Sequence, residues 1–298
     1  MDPATRERAL GAMLGLAVGD ALGTTLEFAE RDARPPLTAM AGGGPFDLAP
    51  GEWTDDTAMA LALADSLAAH PRLDERDLMQ RFLAWWQRGD YSHNGRCFDI
   101  GGATREALAR FRRSGDPIAG NPDPNVAGNG SIMRLAPAVI ANLHSEAAAL
   151  EAAQRQGRTT HRAPQCEAGC SLMAAVLFRL LHGASWESAL AVEPDPSWHR
   201  AIVRLTRSGW RGKSREAISS SGYVADTLEA AFWCVDRSAG FAEAVLLAAN
   251  LGDDADTVAA VTGQLAGARW SRAGIPADWL SQLAWRERIE QAVERLLA

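Results

Sequence analysis

The stretch Gly11-Ala12-Met13-Leu14-Gly15-Leu16-Ala17-Val18-Gly19-Asp20-Ala21-Leu22-Gly23 places a glycine at every fourth position of an apolar run. At 3.6 residues per turn these glycines fall in one row, so one ridge of the predicted helix lacks side chains and a neighbouring helix can approach its backbone. Such a helix belongs at the centre of a bundle. As a secretory leader it fails, because it carries Asp20, follows Glu7 among arginines and is studded with glycine. As a membrane span it falls short of the roughly 20 consecutive apolar residues required, and the four-residue glycine repeat is read as packing within a bundle rather than as a membrane dimer.

Outward from this stretch, apolar residues recur at three- and four-residue spacing, Ala and Leu dominate, and the alternation typical of strands is scarce, which makes the chain all-α. The pattern predicts helices over 3–22, 57–69, 75–88, 103–113, 132–143, 145–155, 164–181, 196–208, 223–235, 241–250, 257–270 and 284–297. Glycine- and proline-bearing joints at 41–53, 89–102, 120–131 and 251–255 separate them, and none is long enough to be a linker, so residues 1–298 are read as one compact domain.

A chain that is 47% hydrophobic over 298 residues can bury a large core, which excludes disorder. A net charge of -7 without a long Lys/Arg run argues against nucleic acid or an anionic membrane and favours a small ligand or an exposed protein segment. Cys97, Cys166, Cys170 and Cys234 have neither zinc-site pairing nor disulfide density, so the expected setting is the reducing cytoplasm.

Two acidic turns stand out. Gly51-Glu52-Trp53-Thr54-Asp55-Asp56-Thr57 and Gly252-Asp253-Asp254-Ala255-Asp256-Thr257 each run into an apolar helix with no local Lys or Arg. Either alone reads as a helix N-cap, because Asp and Thr accept the free N–H groups there. Two such turns before buried-looking helices read better as halves of one metal site, since crowded carboxylates must take up protons or share a cation. Hard oxygen donors from Asp and Thr favour Mg²⁺, Mn²⁺ or Ca²⁺ over zinc or copper. An EF-hand lacks its terminal Glu here, and the D-D-x-x-D of helical isoprenoid synthases fails at Met59.

Several joints suit a phosphorylated ligand. Gly128-Asn129-Gly130-Ser131 is expected to open a helix at Ile132 and offer backbone N–H groups and a hydroxyl to an anion, although a plain turn has the same sequence. His161 precedes the helix from Pro164 as a cap, a surface residue or a phosphate ligand, Tyr223 follows a Ser/Gly loop as core residue or base-stacking ring, and Asp99 in Phe98-Asp99-Ile100-Gly101-Gly102 is a turn residue or an acceptor for a cationic group.

Taken together, G-A-M-L-G-L-A-V-G-D-A-L-G with Glu27 after it, G-E-W-T-D-D-T, D-I-G, G-N-G-S-I-M-R, Thr160-His161 and G-D-D-A-D-T-V resemble the ADP-ribosylglycohydrolase family across nearly the whole chain, closest to its dinitrogenase reductase-activating members. The resemblance implies an orthogonal multi-helix bundle with a binuclear Mg²⁺ or Mn²⁺ site in a central cleft. It makes Thr54, Asp55, Asp56, Asp254, Asp256 and Thr257 the metal ligands and Glu27 an acid beside them. It places Asp99 and Gly101 near the ribose and the scissile bond, Gly128, Asn129, Gly130, Ser131 and His161 on ribose and diphosphate, and Tyr223 on adenine.

The implied reaction is hydrolysis at ribose C1″ of a mono-ADP-ribosylated protein, releasing ADP-ribose, with Asp55 or Asp56 handling the proton of the attacking water. Asp99 facing the leaving group favours an arginine linkage, because a guanidinium offers donors to a carboxylate. Gly102 departs from the Asn common after D-x-G in the family, which bears on the leaving-group side. The competing expectations are a hydrolase of serine-linked or free ADP-ribose derivatives, and a non-catalytic ADP-ribose-binding or immunity protein.

Overall fold

The computed structural model describes residues 2–298, and every regular element among them is helical apart from three isolated bridges. The α-helices are α1 (Pro3–Gly23), α2 (Asp55–Ala69), α3 (Glu75–Arg88), α4 (Gly102–Ser114), α5 (Ala136–Ile140), α6 (Glu146–Arg158), α7 (Pro164–Leu181), α8 (Trp186–Leu190), α9 (Arg200–Thr206), α10 (Val224–Arg237), α11 (Phe241–Ala249), α12 (Ala255–Trp270), α13 (Ala277–Gln282) and α14 (Arg286–Leu297).

The glycine ridge of α1 packs against α12, which runs antiparallel to it. A Cβ on Gly11, Gly15, Gly19 or Gly23 would collide with the backbone of Gly267, Gly263, Ala259 or Ala255 respectively, and a Cβ on Gly263 or Gly267 would strike α1 in return. The small residues of α12 thus recur every fourth position in reverse order, and the two backbones touch along four turns. Both helices are apolar on nearly all sides, as core helices are. By length and composition the segment Pro3–Leu26 does qualify as a membrane span, beyond what its interrupted apolar run predicts, but 94% of its window is buried among the other helices.

This pairing positions the site. Because the helices are antiparallel, the C-terminal end of α1 lies beside the N-terminal end of α12, which carries the second acidic turn. Helix α2, buried from Asp55 to Ala64, brings the first acidic turn to the same place.

Two expectations need correction, and two short helices were not expected. The predicted helix over 132–143 is only the five-residue α5, because Pro137 near its start has no N–H to give, and residues 131–134 form turns instead. The predicted helix 196–208 shrinks to α9, and α8 and α13 arise in segments too short for a periodic signal.

Candidate metal centre and ligand cleft

Neither acidic turn caps its own helix. Thr54 before α2 and Asp254 before α12 hold the N-cap positions without a side-chain capping bond. Asp20, reaching across from α1, does that work for α2. Its Oδ1 accepts the Thr54 N–H at 2.8 Å, and its Oδ2 accepts the Thr57 N–H at 3.0 Å and the Thr57 hydroxyl at 2.6 Å. The Asp55 and Asp56 carboxylates are thereby released from capping.

The two turns interlock. The Thr54 hydroxyl lies 2.9 Å from Asp20 Oδ1 and 3.2 Å from Asp256 Oδ2, and the Thr257 hydroxyl donates to Asp56 Oδ1 at 3.4 Å. Glu27 accepts the Asp256 N–H at 3.2 Å, and oxygens of Glu27, Asp254 and Asp256 lie within 4.8 Å of one another. Asp253, in left-handed backbone at φ 61°, turns the chain so that Asp254 and Asp256 converge instead of diverging as they would within a helix.

Burial and mutual repulsion raise every carboxyl of this group. Burial first and the Asp256 charge second lift Asp20 and Asp254 to about 7, and push Asp55 and Asp56 well above the ordinary range. Glu27 rises to about 12 through burial, then Asp256 and Asp254. Asp256 rises to about 7 through burial and Asp99, with which it is in hydrogen-bonding contact, and Asp99 rises to about 8 through burial and Asp55. So many crowded acids in one place need a cation to ionise together. The buried Asp56 Oδ2 has no hydrogen-bond partner, a further mark of an oxygen arranged for a metal. All donors are hard oxygens, the set that Mg²⁺, Mn²⁺ and Ca²⁺ take.

Above the acids opens a cavity of about 450 Å³, lined by Glu27, Asp55, Asp99, Gly101, Gly128, Asn129, Gly130, His161, Asp254, Asp256 and Thr257 among others. A second cavity of about 420 Å³ is lined by Tyr223 and Val126 and shares Gly102, Ala103, Gly128 and Gly222 with the first. Together they form a trough with acids at one end and an aromatic ring at the other.

The family-level description of an ADP-ribosylglycohydrolase matches residues 1–298 from end to end. The chain belongs to the ADP-ribosylglycohydrolase family. Among family members, it is 48% identical to an ADP-ribosylarginine hydrolase, Tri1, of Pseudomonas putida (strain GB-1), covering 97% of this chain and 78% of that protein. It is 34% identical to the ADP-ribosyl-[dinitrogen reductase] glycohydrolase of Rhodospirillum rubrum over 99% of this chain and 97% of that one. A solved ADP-ribosylglycohydrolase-related protein complex superposes with a TM-score of 0.86 at 42% identity, covering 98% of both chains.

Against this family background, the positions of the expected residues are clear. Glu27, Asp55, Asp99, Gly101, Gly128, Asn129, Gly130, His161, Asp254, Asp256 and Thr257 face the main cavity, Tyr223 faces the adjoining one, and Thr54 and Asp56 lie buried beneath the acids. Asn129 spends its amide on Asp254 Oδ2 at 2.6 Å and on the Thr227 hydroxyl at 3.0 Å, so it orients an acid as well as lining the wall. Ser131 departs from its expected place. It is fully buried behind the wall, packed toward Gly157, and the positive helix end proposed to support it is absent because α5 starts at Ala136. The residue that sequence reading missed is Asp20. Its signal was an acid in the middle of an otherwise apolar glycine-ridged helix, where an ionisable group stays only with a partner.

Proposed function

We propose that the chain removes ADP-ribose from arginine side chains of mono-ADP-ribosylated proteins, using two divalent cations, Mg²⁺ or Mn²⁺, held by Thr54, Asp55, Asp56, Asp254, Asp256 and Thr257. The observation that carries this reading is the meeting of the two acidic turns, about two hundred positions apart, under one trough. The names of the Tri1 relatives favour the arginine linkage. The reducing cytoplasm is the compartment this reading assigns, in keeping with four cysteines that carry no disulfide.

Bound cations would supply a template for the ribose hydroxyls and acidify a water. The protein's own groups do the remainder. Asp55 opens on the cavity and is placed to take a proton from the attacking water, whereas Asp56 lies beneath and serves as a ligand. As the bond from ribose C1″ to the guanidinium nitrogen breaks, positive charge grows on the ribose, and fixed carboxylates stabilise it more than they stabilise the ground state. Asp99, in left-handed backbone at φ 57° on the cavity wall, faces the leaving guanidinium, with Glu27 beside the acids. Gly128, Asn129, Gly130 and His161 line the passage between the acids and Tyr223, the length over which ribose and diphosphate would lie, with adenine against Tyr223.

The deciding experiment offers arginine-, serine- and nucleic-acid-linked ADP-ribose side by side, with and without divalent metal. Release from arginine alone, lost on chelation, supports the reading. Equal release from serine, or release that survives exhaustive chelation, overturns it.

A further inference from the structure

Arg134 is a fully buried cation with no carboxylate in hydrogen-bonding contact, Asp55 and Asp56 acting on it only through their charge. Its guanidinium bonds go to neutral acceptors: Met59 Sδ at 3.9 Å, Gln156 Oε1 at 3.0 Å, the Gln156 carbonyl at 3.3 Å, the Gly130 carbonyl at 2.5 Å and the Thr160 hydroxyl at 2.7 Å. Its Cζ lies 4.9 Å from the centre of the Phe82 ring. Burying a charge in this way is costly, and the site it supports is the wall of the ligand cavity.

The last of those bonds leads into the cavity. Thr160 Oγ1 is 2.8 Å from His161 Nδ1. A guanidinium can only donate, so Thr160 accepts from Arg134 and its single hydroxyl hydrogen remains to be placed. Thr160 is buried, and the partner within reach for that hydrogen is Nδ1. Nδ1 is therefore the acceptor of the ring, and the ring hydrogen resides on Nε2. The Nε2 edge lies against Gly128 and Gly130, where a Cβ on Gly130 would strike the ring, and His161 lines the cavity.

We infer that Arg134, acting through Thr160, is a positioning residue that locks His161 as a neutral Nε2–H donor aimed at an anionic group of the bound ligand. The inference rests on reading the cavity as an ADP-ribose site, in which the anion is the diphosphate. Burial and the Arg134 charge both oppose protonation of the ring, which lowers it to about 3. The lock thus gives the diphosphate a directed donor without adding a second cation beside the metal site, and it removes His161 from any role as a general base.

The test uses protein labelled with ¹⁵N at histidine, together with calorimetric titration of ADP-ribose. In the wild-type protein, His161 Nδ1 shows the resonance of an unprotonated acceptor and Nε2 that of an N–H. Thr160→Val keeps the side chain's shape and deletes the hydroxyl. It mixes the tautomers and weakens ADP-ribose binding by about 10- to 100-fold, the worth of a hydrogen bond to a charged group. Thr160→Ser restores both readouts, which a merely structural defect would not predict. A hydrogen on Nδ1 in the wild type, unchanged affinity in Thr160→Val, or a Ser variant as weak as the Val variant overturns the relay. A wild-type protein that does not bind ADP-ribose would instead refute the ligand assignment, and the inference with it, a result distinguishable because the tautomer is read without ligand.

Discussion

Glu27 Oε2 accepts the backbone N–H of Asp256 at 3.2 Å, across 229 positions of chain. The bond closes the end of α1 onto the start of α12, where the glycine ridge has already brought the two backbones together. Glycine spacing, a packing feature, and carboxylate convergence, a chemical one, are therefore one structural fact. If α1 slid by a residue along α12, Glu27 would leave the Asp256 N–H, and Asp20 would leave Thr54 and Thr57.

Gly15→Ala tests that coupling. In an ordinary helix the change stabilises by about 1 kcal/mol. Here the new Cβ would overlap the backbone of Gly263, and overpacking a tight core costs about 1–3 kcal/mol or more. Thermal denaturation should show a lower Tm for the variant and a smaller rise in Tm on adding Mn²⁺. A Tm equal to or above that of the wild type would show that the helices do not touch there.

Asp20 merits its own variants, since it caps α2 from another helix. Asp20→Ala leaves the N–H groups of Thr54 and Thr57 without their acceptor in a buried place, which costs about 2 kcal/mol or more. Beyond the loss of stability, Asp55 and Asp56 lose their fixed position, so the affinity for Mn²⁺, followed by calorimetry, should fall also. Wild-type metal affinity in a destabilised Asp20→Ala protein would restrict Asp20 to a structural part.

Much of this was legible in the sequence for physical reasons. The glycine repeat, the long apolar helices such as α3 and α7, and both acidic turns are local patterns, and helix periodicity predicts α3 and α7 at their observed ends. What was hidden depends on contacts between distant segments. Asp20 takes its meaning only from Thr54 and Thr57, Ser131 is turned from the cavity by the packing of α6, and α12 shows its small-residue ridge only against α1. Pro137, by contrast, was a local signal that the predicted helix over 132–143 should have heeded.

The response of stability to metal should depend on pH. Asp20, Asp254 and Asp256 hold their protons in the fold to about 7, above the range in which an unfolded chain releases them. Below about pH 4 both states are protonated and the fold suffers nothing. As pH rises toward 7 the unfolded chain ionises freely while the metal-free fold must keep protons or bear repulsion, so its stability falls. A bound cation offsets that repulsion and competes with the protons. The gap in Tm between Mn²⁺-loaded and chelated protein should therefore widen from pH 5 to pH 8. His161, whose depressed value acts in the opposite direction, contributes equally to both forms and cancels in the difference. A gap that is constant or narrows with pH would count against a metal held by these acids.

Asp55→Asn and Asp254→Asn should each lower release of ADP-ribose from modified arginine by about 10²–10⁴-fold, the range for removing a proton-handling or metal-placing group. Each substitution also removes an ionisable carboxyl from a crowded buried group, so the metal-free protein should melt no lower than the wild type. Circular dichroism and a single-turnover assay on the same samples separate the two effects. Full activity in either variant would contradict the shared metal site.

Phe28 offers a trade between stability and recognition. It is 67% exposed at the lip of the main cavity and holds left-handed backbone at φ 59°, a conformation that costs a bulky residue roughly 1–2 kcal/mol. Two backbone bonds fix it there: its N–H donates to the Asp253 carbonyl at 2.8 Å, and the Asp253 N–H donates to the Ala29 carbonyl at 2.8 Å. The ring meets Phe46 edge-on at 6.3 Å, and Phe46 in turn lies 5.4 Å from Phe98, the neighbour of Asp99. An aromatic lip thus leads toward Asp99, the acid proposed to face the leaving group, which suits a guanidinium and the peptide carrying it. Phe28→Gly relieves the backbone strain, which offsets the entropy that glycine adds to the unfolded chain and the lost contact with Phe46, so Tm should not fall. The same change should raise KM for an ADP-ribosylated protein several-fold, leave kcat nearly unchanged, and leave the affinity for free ADP-ribose as it was. If KM for the protein substrate stays constant, the lip takes no part in recognition; if affinity for free ADP-ribose falls with it, Phe28 acts on the nucleotide rather than on the modified side chain.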